Sequence, residues 1–314
     1  MIMKNDSILV GILVNQDYNP SALAGQYIRE TLKNSGIETI ALSLDDVIKN
    51  DVKCDTLFNV YYGEIGDGGI VSGLLEKRGI PFVGNGQYTC SLMMNKIVSK
   101  LLFIQHECAT PSFLYKPNVQ KTKENIVHEV EDNLKYPLLA KPVNGAASEN
   151  IHFINNSNEL TNFISINREF IDGGYYFFEQ FVCGRELSAG YVDVLGVSLP
   201  VIEIKLIVSE RYQSNKVKFS PGLKENIIPA KLPTDIYNKA QQIARDLHFI
   251  FGCRSFSRTD MIYNEQSQRL YVLEINTNPG LLEKSLLPLM VKTAGVNDSE
   301  FFLRLIRDSL KHKN

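Results

Sequence analysis

At 314 residues the chain is too long for one small core and fits two or three packed lobes. Hydrophobic residues make up 44% and charged residues 22%, and a formal net charge of −2 carries no polyelectrolyte signal for nucleic acid. No Lys/Arg run marks a membrane or DNA surface, and no apolar run reaches membrane-spanning length.

The first strand is expected over residues 8–14, a continuous apolar run that suits a buried parallel position. The short apolar start lacks a small-residue cleavage site and runs straight into a turn and helix, so it reads as a strand rather than a signal peptide. A turn at 15–20 leads into a helix ending near Ser35, with Gly36 placed to stop it. Strands follow at 37–42 and 56–60, then a glycine-rich loop at 61–69, a helix at 70–78 and a strand at 80–83. Alternating strands and helices of this kind imply a parallel sheet with helices on its faces. This lobe ends near residue 87.

A single helix is expected from Gln87 to about His106, closed by Thr110-Pro111. The second unit carries strands at 112–115, 138–141, 152–154 and 176–181 plus two helices. The remainder begins with an alternating strand at 186–194 and a turn at Leu195-Gly196, followed by a long polar stretch at 209–226. A helix at 234–251 stops at Gly252, strands at 255–263 and 270–276 come next, and helices close the chain. The five cysteines, Cys54, Cys90, Cys108, Cys183 and Cys253, are scattered and odd in number with no CxxC. They read as reduced thiols in a cytoplasmic protein, not as a disulfide framework or zinc site.

The strongest chemical cluster is Arg258-Thr259-Asp260 with Leu273-Glu274-Ile275-Asn276. Side chains on a strand alternate faces, so Arg258 and Asp260 share one face, as do Glu274 and Asn276. If the two strands pair, three oxygen ligands and a guanidinium converge. Two carboxylates and an amide suit Mg²⁺, and the arginine suits developing phosphate charge. The competing reading is a hairpin with a solvated ionic face.

Lys141-Pro142 ends an apolar strand and precedes Asn144-Gly145-Ala146-Ala147-Ser148, small residues whose N–H groups can approach phosphate oxygens; an ordinary turn with a surface lysine is the alternative. Glu179 ends an aromatic run, where a bare carboxylate is costly, so it calls for a donor: an adenine amino group, or a nearby Lys or Arg. The polar stretch with Lys216 and Lys218 has the length of a mobile lid or of a plain surface loop. The histidines show no ligand spacing, and GxGxxG, the P-loop, GxSxG and HExxH are absent.

In order, these pieces resemble the ATP-grasp superfamily and, within it, the D-alanine–D-alanine ligase family. The matching stretches are 58–69, 79–84, 94–102, 136–148, 178–188 and 253–295, nearly the whole chain. The last, beginning CRSFSRTDMIYNEQSQRLYVLEINTNPG, is the most specific. The resemblance implies a three-domain α/β ATP-grasp fold: a Rossmann-like parallel lobe at 1–87, a central lobe at 88–180 and a C-terminal lobe at 181–314, the last two clamping ATP. It implies that Lys96 and Lys141 contact phosphates, that Glu179 with the backbone of Gln180 and Val182 meets adenine, and that Glu186 holds the ribose. It implies Lys218 as the lid's phosphate lysine, Asp260, Glu274 and Asn276 as ligands of two Mg²⁺ ions, Arg258 as the catalytic arginine, and Ser285 as the serine for the second substrate's carboxylate.

The departures gather at the first-substrate site. The first loop, Val14-Asn15-Gln16-Asp17-Tyr18-Asn19-Pro20, lacks the family's glutamate; Tyr62 replaces its histidine; Phe219 replaces its lid tyrosine; its serine falls at Ala147, with Ser148 next to it. The implied activity is an ATP-dependent carboxylate–amine ligase working through an acyl phosphate, with an altered first substrate. The alternatives are an authentic D-alanine–D-alanine or D-alanine–D-lactate ligase, a non-catalytic ATP-binding regulator and, more remotely, a hydroxyl kinase. Small amino-acid-like substrates and a homodimer are implied; nucleic acid and membrane are not.

Overall fold

The computed structural model describes residues 8–115, 122–145, 149–207, 220 and 222–312. The expected Ser148, Lys218 and Phe219 roles, and Ala147, fall outside the described residues. The helices are α1 (Asn19–Asn34), α2 (Leu44–Lys49), α3 (Glu64–Asp67), α4 (Ile70–Lys77), α5 (Gln87–Met94), α6 (Lys96–Gln105), α7 (Lys123–Asn133), α8 (Ser157–Ile166), α9 (Arg168–Asp172), α10 (Thr234–Ile250), α11 (Leu286–Thr293) and α12 (Asp298–Ser309).

The first sheet is parallel, in the order β2 (Glu38–Leu42), β1 (Leu9–Val14), β3 (Thr56–Val60), β4 (Phe82–Val83). Both faces are covered, which explains the unbroken apolar run of β1. Val10, Ile12 and Val14 pack with α1 and with Phe301, Phe302 and Leu305 of α12, while Leu13 packs with Val71 and Leu75 of α4. The last helix of the chain thus closes over the first sheet.

The second sheet is antiparallel: β5 (Phe113–Tyr115), β8 (Tyr176–Gln180), β6 (Leu138–Pro142), β7 (His152–Ile154). Helices α7 and α8 cover one face through Ile126, Val130, Leu160 and Ile164. The third sheet runs β12 (Lys224–Ile227), β11 (Ile202–Leu206), β9 (Arg185–Val192), β13 (Phe256–Asn264), β14 (Arg269–Asn276), with the short β10 (Val197–Ser198) pairing β9. Its Leu187, Ala189, Met261 and Val272 face Ala240, Ala244 and Leu247 of α10. Alternation therefore turns Glu186, Ser188, Arg258 and Asp260 to the opposite face, and a bulge at Leu273 brings Glu274 round to join them.

Two expectations need correcting. The single helix from Gln87 is two helices, because Asn95 adopts φ −83° and ψ 105° between them. Its Oδ1 accepts the N–H groups of Ile97 and Val98, at 3.1 and 3.0 Å, and so starts α6 at Lys96. The loop at 61–69 contains the one-turn helix α3. Gly66 is required within it: a β-carbon there would lie 1.5 Å from the Tyr61 carbonyl oxygen.

Candidate active site

Between the second and third sheets lies a cavity of about 350 Å³ lined by Leu139, Lys141, Glu179, Val182, Glu186 and Leu273, among others. It continues into a recess of about 90 Å³ where Lys96, Lys100, Glu149, Arg258, Asp260 and Glu274 meet Lys141, Glu179 and Glu186. The wider end exposes more apolar than polar surface and the recess is charged, a division suited to a ligand with one flat apolar end and one polyanionic end.

The recess is built by strand register. Leu139 pairs with Glu179 across β6 and β8, so Lys141, two residues on, lies diagonally over the same face and its ammonium ion-pairs with Glu179 Oε1. Lys100 reaches the same carboxylate from α6, its Nζ 2.5 Å from Oε2. Lys100 and Glu179 are each only 1% exposed. Burial works to raise the Glu179 carboxyl, but the two ammoniums outweigh it and hold it below the usual carboxylate range. The same burial lowers Lys100, against the pull of Glu179. Oε2 makes a charge contact without a well-directed hydrogen bond, leaving acceptor capacity at the cavity wall. Of the two donors open to Glu179 in the sequence, the structure supplies the lysines.

Lys96, the first residue of α6, sends its Nζ to the carbonyl of Gly145, at 2.6 Å, at the start of the small-residue loop. Gln180 turns its side chain away: Oε1 accepts from Lys135 N at 2.7 Å and Nε2 donates to Lys135 O at 2.8 Å. Only its backbone is left for the cavity.

β13 and β14 do pair, with Arg258 opposite Asn276 and Asp260 opposite Glu274. A bulge after Asp260 leaves Leu273 as an extra residue, and it brings neighbouring Leu273 and Glu274 both to the recess. Arg258 grips Asp260 in a fork, Nε to Oδ1 at 2.9 Å and a terminal nitrogen to Oδ2 at 2.7 Å, and Ser188 Oγ donates to Oδ1. Burial alone would lower the guanidinium, yet Asp260, with Glu274 and Glu186, raises it, so Arg258 is a fixed cation. Asp260, Glu274 and Asn276 form an all-oxygen set that fits a hard divalent cation.

The first lobe closes the far end. Asn85 Nδ2 donates to Thr277 O at 2.6 Å and to Phe256 O at 2.8 Å. Tyr62 is buried, and its hydroxyl accepts Leu281 N–H at 3.0 Å. Tyr62 therefore anchors the loop before Ser285, which is the N-cap residue of α11. Gly280 packs close there: a β-carbon would come within 2.9 Å of Ser285 Oγ. Leu286, next to Ser285, lines the recess.

The D-ala D-ala ligase C-terminus family model matches residues 106–307. A D-alanine–D-alanine ligase of Pelagibacter ubique is 30% identical over 290 residues, covering 91% of this chain and 90% of that protein. The chain belongs to the D-alanine–D-alanine ligase family. It is thus an ATP-dependent ligase forming a carbon–nitrogen bond, within the ATP-grasp superfamily. Two solved structures share the fold. The D-alanine–D-alanine ligase from Bacillus anthracis complexed with ATP has a TM-score of 0.80 at 21% identity, over 98% of this chain and 99% of that one. The VanG D-Ala:D-Ser ligase from Enterococcus faecalis has a TM-score of 0.77 at 22% identity, over 97% and 100%.

Within this ligase family chain, Lys100 is the site residue that the sequence reading missed. The signal was present. Ile97, Lys100 and Phe103 recur at helical spacing, and all three are buried on α6, so a lysine stands on an apolar face. A buried serine–histidine–aspartate chain lies apart from the cavity. Ser257 Oγ, His248 and Asp193 are linked at 2.8 and 2.9 Å, but Ser257 is 1% exposed and His248 wholly buried. That chain ties α10 to β13 and the end of β9, and no substrate reaches it. No described helix is long and apolar enough to cross a membrane.

Proposed function

We propose that the chain activates a small amino acid carboxylate with Mg-ATP as an acyl phosphate, which an amine of a second amino acid captures to give a dipeptide. The observation that carries this reading is the cross-strand group of Arg258, Asp260 and Glu274 at the inner end of a cavity whose wider end is largely apolar, with Asn276 paired opposite Arg258. Adenine would lie near Glu179 and the Gln180–Val182 backbone, ribose near Glu186, and phosphates near Lys96 and Lys141. Asp260, Glu274 and Asn276 would hold magnesium, which when bound neutralises phosphate charge.

In the first step a donor carboxylate oxygen bonds to the γ-phosphorus as the bond to the ADP oxygen breaks. In the second, the acceptor nitrogen bonds to the acyl carbon, loses a proton, and the carbon–phosphate oxygen bond breaks. Lys96 and Lys141 offset the negative charge of the transferring group, and Arg258 steadies the tetrahedral oxyanion. Ser285, at the N-cap of α11 beside recess-lining Leu286, would bind the acceptor carboxylate. No protein nucleophile takes part.

The donor pocket is altered. Asn15, Gln16 and Asp17 stand in the first loop, and Tyr62 is committed to Leu281. A second reading, an authentic D-alanine–D-alanine ligase, is favoured by the name of the Pelagibacter relative. Retention of Arg258 and the oxygen set weighs against a non-catalytic regulator. ADP release with Mg-ATP and amino acids, offered singly and in pairs, tests all of these. A pair whose product mass is the sum minus water supports the proposal, D-alanine alone at high turnover supports the second reading, and silence from every pair refutes both.

A further inference from the structure

We propose that Asp67 is the carboxylate that receives the cationic amino group of the acyl-donor amino acid, in place of the glutamate absent from the first loop. The inference rests on the ligase reading and deepens it.

Asp67 closes α3, in the first lobe, and faces the third sheet. Its Oδ1 accepts from Asn278 Nδ2 at 3.0 Å, and its Oδ2 from Gly63 N at 3.1 Å. Asn278 in turn donates its backbone N–H to Asn276 Oδ1 at 3.0 Å, and Asn276 lies opposite Arg258. Asp67 therefore stands one residue away from the inner end of this cross-strand group, on the side of the first loop.

Its partners are neutral. Among the described residues Asp67 has no ion pair, although burial pushes its carboxyl up to about 7 against the hydrogen bonds from Asn278 and Gly63. Two amide donors leave a carboxylate in want of a cation. The surroundings favour one. The Tyr18 hydroxyl lies in the field of both Glu149 and Asp67, and Glu149 borders the recess with Arg258. Beside Gly63, whose N–H meets Asp67, there is room: a β-carbon built there would meet nothing nearer than Asn15 Nδ2, at 3.8 Å. A primary ammonium, compact and carrying three donors, matches the charge that Asp67 and Glu149 set up around Tyr18, whereas a second carboxylate would be repelled.

The competing residue is Asp17, exposed in the first loop with its backbone N–H on Asn15 Oδ1. The test measures acyl-phosphate formation in wild type, Asp67→Asn and Asp17→Asn by trapping with hydroxylamine, using a panel of amino acids, D-alanine included, each beside its desamino acid. Asp67→Asn keeps the side-chain shape and an acceptor for Asn278. The expected result is a KM for the amino acid raised about 10- to 100-fold in Asp67→Asn. The KM for ATP and that for the desamino acid should stay within about threefold of wild type. Asp67→Glu should restore part of the loss. Equal losses with both donor types, or a loss produced by Asp17→Asn alone, overturn the assignment and leave the ligase reading standing. Wild-type use of desamino acids only does the same. No ADP release with any carboxylate overturns the ligase reading itself, and this assignment with it.

Discussion

Replacing Glu179 by glutamine removes a negative charge held between two buried lysines, while replacing Lys100 by methionine removes one of two positive charges on that carboxylate. The structure makes these changes unequal. With Glu179 gone, Lys100 and Lys141 face each other across a neutral amide. Both ammoniums touch the same carboxylate, so they lie on the order of 5 Å apart, and two unit charges at that separation repel by roughly 3 kcal/mol at an effective dielectric of 20. Lys100 is 1% exposed and cannot turn to water. Breaking such a buried pair from one side costs about 3–5 kcal/mol, capped by Lys100 giving up its proton, which burial already favours. Lys100→Met instead leaves a balanced Lys141–Glu179 pair and an apolar side chain among Ile97 and Phe103, at a cost of about 1–2 kcal/mol. Urea denaturation without nucleotide, followed by far-UV circular dichroism, should rank wild type above Lys100→Met above Glu179→Gln. Equal midpoints for wild type and Glu179→Gln, or Lys100→Met as the weaker variant, would refute the charge balance argued here.

Four further outcomes follow. Because Glu179 is held below its ordinary 4.5, its contribution is present above that value and is lost as pH falls through the folded-state value; acid unfolding should begin at higher pH in Lys100→Met, with its weaker hold on Glu179. Asp67 has the opposite sign: a carboxyl raised from 3.8 to about 7 binds more protons folded than unfolded, so it costs stability increasingly across that window, by up to about 4 kcal/mol above pH 7. Asp67→Asn should therefore be stabilised at pH 8 and not at pH 4. Arg258→Lys loses the fork on Asp260, and kcat should fall about 10²- to 10³-fold with the KM for ATP changed by only a few-fold. His248→Leu strands buried Ser257 and should cost about 2–3 kcal/mol by thermal unfolding while leaving kcat at 20 °C unchanged.

Much of the fold was legible because its signals are local. β1 reads as a buried parallel strand from its apolar run, and α10 and the β13–β14 pair were placed to within a residue or so of their observed ends. What failed was set by a cap or by contacts distant in the chain. Asn95 interrupts a continuous helical pattern by capping α6, and nothing in the spacing of apolar residues announces that choice. β11 and β12 were passed over because their stability comes from pairing with β9 and with each other. The return of α12 to the first sheet is a contact between chain ends and leaves no mark in any local window.

The site divides in the same way. Strand alternation is enough to put Arg258 and Asp260 on one face, and Glu274 and Asn276 on another strand's face; the bulge at Leu273 is not visible in the sequence. Glu179 called for a donor on physical grounds, and the lysines supplied it. Asp67 lay inside a glycine-rich stretch, where its role depends on Asn278, more than 200 residues away.

The claim at the centre is that a carboxylate is activated by phosphoryl transfer. It is tested most directly by supplying the acyl donor with ¹⁸O in both carboxylate oxygens and analysing the inorganic phosphate by mass spectrometry. Passage through an acyl phosphate predicts one ¹⁸O per phosphate, one ADP per product, and one label left in the new amide. Unlabelled phosphate, or label recovered in AMP, would contradict it.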